Sequence, residues 1–322
     1  MNSRTTIILI IGSALAFLLS LLLPWANISG LLRQDPSLAS AVLFELRLPR
    51  ALLALIYGAT LGASGAAIQA LFANPLASPD LTGTTSGAAL GAVVTAYLLG
   101  FSAPFALSGG AVVGALGALV LLLALAGPKA ETATLLLAGL AISALAGALT
   151  TLALALAPSP FAFYDAYEWL MGSLVDRSLT QALFALVPAL VSIALLLRLV
   201  PALDSLALGE ESAEAMGYDI RRTRLWVVAL SALGVGGCVA ICGAIGFVGL
   251  VAPIFARRLT RGHPGRAIVP AALIGGMLLL AADLIVRGAP LGRTLPIGVV
   301  TAMLGAPFFL FLVLRMRRSV AA

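Results

Sequence analysis

Ten apolar runs, at about 5–24, 49–71, 84–100, 104–126, 132–157, 183–200, 225–244, 246–258, 267–287 and 296–314, take up most of this 322-residue chain and leave only short polar connections. About 20 apolar residues suffice for one helix to cross the hydrocarbon of a bilayer. Most runs reach that length, and the connections between them are too short for a separate soluble domain. Charged residues make up 10% of the chain and hydrophobic residues 61%, whereas a soluble domain carries about 25% charge. The expectation is an all-α, polytopic membrane protein of about ten transmembrane helices, with residues 1–322 forming one domain.

The net charge of +6 and the pI near 10 would suggest a nucleic-acid binder in a soluble chain. Here every basic residue but Lys129 is an arginine, and most lie at the ends of apolar runs. That pattern describes topology, not a nucleic-acid surface. With the N-terminus inside, the cytoplasmic ends carry Arg4, Lys129, Arg198, Arg221, Arg222, Arg224, Arg257, Arg258, Arg261, Arg266, Arg315, Arg317 and Arg318. Thirteen basic residues inside against six outside obey the positive-inside rule. Both termini are then cytoplasmic.

This count depends on the shortest run, Gly246 to Leu259, which carries Pro253 in its middle. Omitting it would put Arg315, Arg317 and Arg318 outside, against the charge rule. It is therefore expected as a short or broken helix, which is tolerable only where protein and not lipid surrounds it. The opening run, Thr5 to Leu23, is long for a signal peptide, and no small-x-small cleavage site follows Pro24. It is expected to be the first span.

Glycines recur four apart at Gly58 and Gly62, at Gly83, Gly87 and Gly91, and at Gly110 and Gly114. This spacing lets helix backbones approach closely, and in a ten-helix chain packing within the subunit is the expected use. Cys238 and Cys242 share one face of an apolar helix without a second pair or a nearby histidine, so they are expected as small packing residues. RLPRALLALIYGATLGASGAAIQALFANP and RLWVVALSALGVGGCVAICGAIGFVGLVAP share an Arg-Leu start and a Gly-rich course to a proline. Their opposite orientations fit an inverted repeat.

No phosphate-binding GxxxxGK[ST] loop occurs, and a chain with one histidine cannot assemble HExxH or a Ser/His/Asp set. An enzyme is not expected. Ion-coupled carriers use ionisable groups deep in the membrane, and the acidic candidate within a span, Asp283, lies less than two turns from the outer end. A channel or ion-coupled carrier is the alternative of a different class. The remaining energy source is a separate subunit.

The place to receive it is the segment Pro201 to Arg224, which holds Asp204, Glu210, Glu211, Glu214, Asp219, Arg221, Arg222 and Arg224. As a helix, LALGEESAEAMG puts Glu210, Glu211 and Glu214 on one side, with Ala213 and Ala215 as close-packing residues. Gly217 supplies the left-handed stop before Tyr218. The competing reading is a solvated loop that caps the helices on either side.

ESAEAMG, Glu211 to Gly217, resembles the E[AS]AxxxG motif of ABC importer permeases and lies about 105 residues from the C-terminus, as in that class. More specifically, seven ordered motifs resemble the FecCD-type permeases, which import iron chelates, haem and cobalamin. They are RLPR from Arg47, GxxLxxSGxxxQxxxxNPLAxP from Gly58, GxxxGAxxG from Gly83, LALGEESAEAMG, GAIGFVGLVAP from Gly243, LLLAADLIVR from Leu278, and LPIGVVTAMLGAPFF from Leu295. They cover nearly the whole chain.

The resemblance implies a type II ABC importer permease that carries an iron chelate such as a siderophore or haem, or alternatively cobalamin, across the bacterial inner membrane. It implies a homodimer around a central path, two cytoplasmic ATPases that bind ATP and Mg, an external periplasmic or lipid-anchored substrate-binding protein, and no cofactor in this chain. Leu208, Gly209, Glu210, Glu211, Ala213, Glu214 and Gly217 match the loop that docks on the ATPase. Arg47, Arg50 and Arg287 match external arginines that receive carboxylates of the binding protein. Snorkelling to headgroups is the alternative for these arginines, and Asp283 stands at i, i+4 to neutralise Arg287. Asn74, Pro75, Leu76 and Thr132 match cytoplasmic gate positions, although Asn-Pro also stops a helix. The pattern breaks at Ile254, at GHPGR from Gly262 and at Thr294, so the inner loop 259–266 and outer loop 288–295 inherit no roles. His263 is expected to be a solvated loop residue.

Overall fold

The computed structural model describes residues 3–24, 30, 35–101, 103–127, 132–157, 159–288 and 295–320, and among them there is no strand. The helices are α1 (Ser3–Leu22), α2 (Pro36–Leu71), α3 (Thr84–Tyr97), α4 (Pro104–Ala126), α5 (Thr132–Ala155), α6 (Pro160–Leu170) and α7 (Leu179–Arg198). They continue as α8 (Val200–Ser205), α9 (Glu210–Ala215), α10 (Ile220–Cys242), α11 (Val248–Leu259), α12 (Ile268–Gly288) and α13 (Ile297–Val320). Seven of them, α1, α2, α4, α5, α7, α10 and α12, are long and apolar enough to cross a membrane. The runs at 84–100, 246–258 and 296–314 form the helices α3, α11 and α13. The ends of the bundle are called outer and inner after the orientation that the charge count predicts.

Helices α2 and α7 begin earlier than their apolar runs. The Asp35 carboxylate accepts from the backbone N–H of Ser37 at 3.0 Å and of Leu38 at 3.1 Å, and Pro36 takes the first helical position, so α2 starts at an N-cap. It then passes through a π-helical stretch at Val42–Arg47, where Glu45 and Arg47 had hidden the helix from a reading of hydrophobicity. Ser178 and Gln181 form a capping box that starts α7 at Leu179.

The core is built on α2, α10 and α12. Of α2, the stretch from Pro49 to Leu71 is buried almost throughout, and α10 is buried along much of its length. The helices meet backbone to backbone: a Cβ at Gly58 would lie 2.3 Å from the Gly275 carbonyl oxygen, and one at Gly62 would lie 2.0 Å from that of Ala271. The same holds for α3 against α4, where a Cβ at Gly91 would lie 2.1 Å from the Gly110 carbonyl oxygen. The small-residue spacing therefore serves packing inside the subunit. Helices α2 and α10 run antiparallel, with Tyr57 at Gly243 and Thr60 against Gly234, the opposed orientation expected of the two similar segments. Cys238 and Cys242 are free thiols buried in this core.

The short span is α11. Its residues Val248, Gly249, Leu250, Ala252, Pro253 and Ala256 are buried against α2 and α12, so protein surrounds the broken run as expected. The non-helical link before it satisfies its polar groups internally. The Tyr57 hydroxyl donates to the Gly243 carbonyl at 3.0 Å and accepts from the Ile245 N–H at 3.3 Å, while the Ser173 N–H donates to the Cys242 carbonyl at 2.7 Å. Phe247 closes the link at φ 66°, a conformation that costs a bulky residue about 1–3 kcal/mol. It faces Gly305 on α13, where any side chain would collide with the Phe247 ring.

Candidate functional site

On the inner face, α7 gives way to α8, a 3-10 turn at Leu206–Leu208 and the short α9. Gly209 at φ 98° opens α9. Its end is a Schellman motif: Gly217 at φ 89° donates its N–H to the Glu214 carbonyl at 2.9 Å, and Tyr218 donates to the Ala213 carbonyl at 3.2 Å. The left-handed stop expected at Gly217 is present. Ala213 is fully buried and anchors the helix, whereas Leu208, Glu211, Glu214, Met216 and also Ala215 are exposed. Ala215, expected to pack, instead joins the exposed face. Glu210 is paired with Arg224 of α10, and Asp219 caps α10 by accepting from the Arg222 N–H at 2.9 Å. The result is an acidic, one-and-a-half-turn helix held at both ends by glycines.

One tether there was not legible. Asp204 on α8 accepts from the N–H of Gly265 at 2.8 Å and of Arg266 at 3.3 Å, and its other oxygen lies 3.3 Å from the Arg266 Nε. It thus fastens the inner loop 259–266 to the segment carrying α9. His263 in that loop is exposed, as expected.

The proposed gate residues follow α2. Asn74 forms an Asx turn, accepting on Oδ1 from the Leu76 N–H at 2.9 Å, after Ala73 at φ 46°. Asn74 is exposed; Pro75 and Leu76 are half-buried. Thr132 opens α5, and its side chain lies outside the described residues. The link reaches α5 about two and three turns further on, at Gly139, whose added Cβ would lie 1.9 Å from the Leu81 carbonyl oxygen, and at Ser143. Asp80 in this link accepts from the Thr85 hydroxyl at 2.9 Å. Burial pushes its carboxyl above the usual range, and that hydrogen bond opposes the shift.

At the outer end, the three arginines are engaged inside the subunit. Arg47 donates to the carbonyls of Leu21 and Leu23 at 2.9 and 3.0 Å. Arg50 Nε donates to Asp283 Oδ1 at 2.6 Å, and Arg287 donates to Asp283 Oδ2 and to Ser20. Asp283 is fully buried, and the pair it was expected to form with Arg287 is present. Its second partner, Arg50, lies 233 positions away, and nothing in the sequence signalled it. The arrangement ties α1, α2 and α12 together. Among the described residues no group of His, Cys, Asp and Glu side chains could hold a metal ion.

The fold is a bundle of membrane-length helices with a capped acidic helix at one end and clustered arginines at the other. The chain belongs to the FecCD transport family, whose sequence pattern matches residues 5–315. It is similar to the vitamin B12 import system permease protein BtuC of Vibrio cholerae, 42% identical over 87% of this chain and 84% of that one. It is also similar to the Fe(3+) dicitrate transport system permease protein FecD of Escherichia coli, 38% identical over 86% of each chain. Among solved structures, an inward-facing conformation of a metal-chelate type ABC transporter superimposes with a TM-score of 0.86 at 31% identity, covering 98% of this chain and 100% of that one. The protein is therefore the permease subunit of an ABC importer, a multi-pass membrane protein and not an enzyme.

Proposed function

We propose that this permease carries an iron chelate, a siderophore or haem, inward across the bacterial inner membrane, with both termini in the cytoplasm. Two copies surround one path, and two ATPase subunits hold the ATP and Mg. The observation that carries the coupling assignment is the exposed α9, whose Glu211, Glu214 and Met216 stand clear of the bundle while Ala213 is buried beneath them. Closure of the ATPases on ATP would move this helix, and its contacts with α8 and α10 would pass the motion to the bundle. Asn74, Pro75, Leu76 and Thr132 form the cytoplasmic gate in this reading, and Arg47, Arg50 and Arg287 the docking face for an external binding protein.

Cobalamin is the second reading, favoured by the 42% identity to a vitamin B12 import permease. Uptake of labelled ferric citrate, ferric siderophore, haem and cobalamin by proteoliposomes holding the complete importer separates the two. Co-purification tests the coupling site: Glu211→Arg is expected to lose the ATPase while remaining in the membrane. Retention of the ATPase by that variant would remove α9 from the interface.

A further inference from the structure

Arg50 meets Asp283 through one edge only. Its Nε donates to Asp283 Oδ1 at 2.6 Å, and among the described residues neither of its Nη groups carries a hydrogen bond. A guanidinium presents separate edges, and a carboxylate can take two parallel N–H bonds along one of them. The Nη1–Nη2 edge of Arg50 is thus unused, on a side chain that is still 15% exposed at the outer end.

Asp283 itself has no freedom. It is fully buried, with one oxygen on Arg50 and the other on Arg287 at 2.5 Å. Arg287 is fixed in turn by the Ser20 carbonyl at 2.8 Å. Buried carboxylates between two cations are held by both, because displacement from either leaves an uncompensated charge. Arg47, Arg50 and Arg287 stand against the buried Asp283 and the exposed Glu45 two positions from Arg47, so this cluster keeps one positive charge in excess, which favours an anionic partner.

We infer that Asp283 is a positioning residue: it grips Arg50 by Nε and so keeps the Nη edge set for a carboxylate of the external binding protein. This rests on the docking reading given above. The arrangement explains an arginine at position 50, since a lysine would have to offer Asp283 and the partner the same ammonium group, whereas arginine divides the two tasks between two edges.

The test is the kinetics of the soluble binding protein on the complete importer held in nanodiscs, at low and high salt. Asp283→Asn removes the charge and leaves one acceptor oxygen where two guanidiniums donate. It is expected to speed dissociation about ten-fold, the size of one charge-assisted hydrogen bond, without slowing association at low salt, because the end becomes more positive. Arg50→Lys is expected to dissociate similarly faster. The double variant Arg50→Ala with Asp283→Asn is expected to dissociate no faster than Arg50→Ala alone, because Asp283 acts through Arg50. Additive losses, or wild-type dissociation of Asp283→Asn, overturn the positioning role while leaving docking intact. Unchanged rate constants in Arg50→Ala overturn the docking reading and the inference with it. Should Asp283→Asn fail to accumulate, wild-type dissociation of Arg50→Lys alone overturns the two-edge arrangement.

Discussion

Gly275 on α12 faces Gly58 on α2 with no side chain between them: a Cβ at Gly275 would lie 2.2 Å from the Gly58 carbonyl oxygen, and the obstacle is backbone, which cannot rotate aside. Gly275→Val is therefore expected to force α2 and α12 apart and cost about 1–3 kcal/mol or more. Thermal unfolding in detergent reads the loss. Gly147, which has nothing within 4 Å, provides the control, and Gly147→Ala is expected to leave the transition unchanged. Equal behaviour of the two variants would mean that α2 and α12 are not packed at Gly275.

Gly217 makes a different demand, that of backbone conformation. At φ 89° it stands in open space, so the strain of a substitution there comes from the dihedral alone. Gly217→Val is expected to unwind the Schellman end of α9 and abolish association with the ATPase, with membrane levels unchanged. Gly217→Asn is expected to retain much of it, since asparagine tolerates the left-handed region better than other residues. If valine and asparagine prove equivalent in co-purification, the turn is not what presents α9.

Much of this architecture could be read from the chain because lipid demands long apolar runs, and small residues four apart mark where such helices touch. The helix at Glu210 to Ala215 and its stop at Gly217 were equally legible, since charge and a glycine set them apart from the spans. What escaped were relations between distant positions. Nothing local pairs Arg50 with Asp283 or fastens Asp204 to Gly265. The extension of α2 back to Pro36 escaped for another reason: its polar residues at Glu45 and Arg47 interrupt the hydrophobicity but not the helix. The role of Ala215 failed because residues two apart point to opposite sides of a helix, so with Ala213 buried Ala215 faces out.

Asp80 carries the pH dependence. Its folded carboxyl titrates above the ordinary range because burial outweighs the hydrogen bond from Thr85. The folded state therefore binds the proton more tightly than the unfolded chain, so stability falls as pH rises from the unfolded pKa through the folded one. The ionised form is therefore the one the fold disfavours. Asp80→Asn keeps an acceptor for Thr85 and is expected to raise the melting temperature at neutral pH, with the advantage shrinking as the pH falls through the acid range. A variant that melts lower than the wild type at pH 7 would contradict this sign.

Tyr57 is the residue on which the non-helical link 243–247 depends. Its hydroxyl is buried, donates to the Gly243 carbonyl and accepts from the Ile245 N–H, so one side chain satisfies two backbone groups that no helix serves. Lipid offers no replacement partner at that depth. Tyr57→Phe preserves the ring and its packing but leaves both groups without a partner, at about 1–3 kcal/mol for a buried polar group left unpaired. The expected result is a lower melting temperature together with faster hydrogen exchange confined to the amides near Ile245, while those of the α2 interior keep their protection. Because α11 begins at Val248 and is buried against α2 and α12, a loosened link is also expected to slow transport without disturbing ATPase binding at α9. Unaltered exchange at Ile245 in the phenylalanine variant would show that the tyrosine hydroxyl does not hold the link.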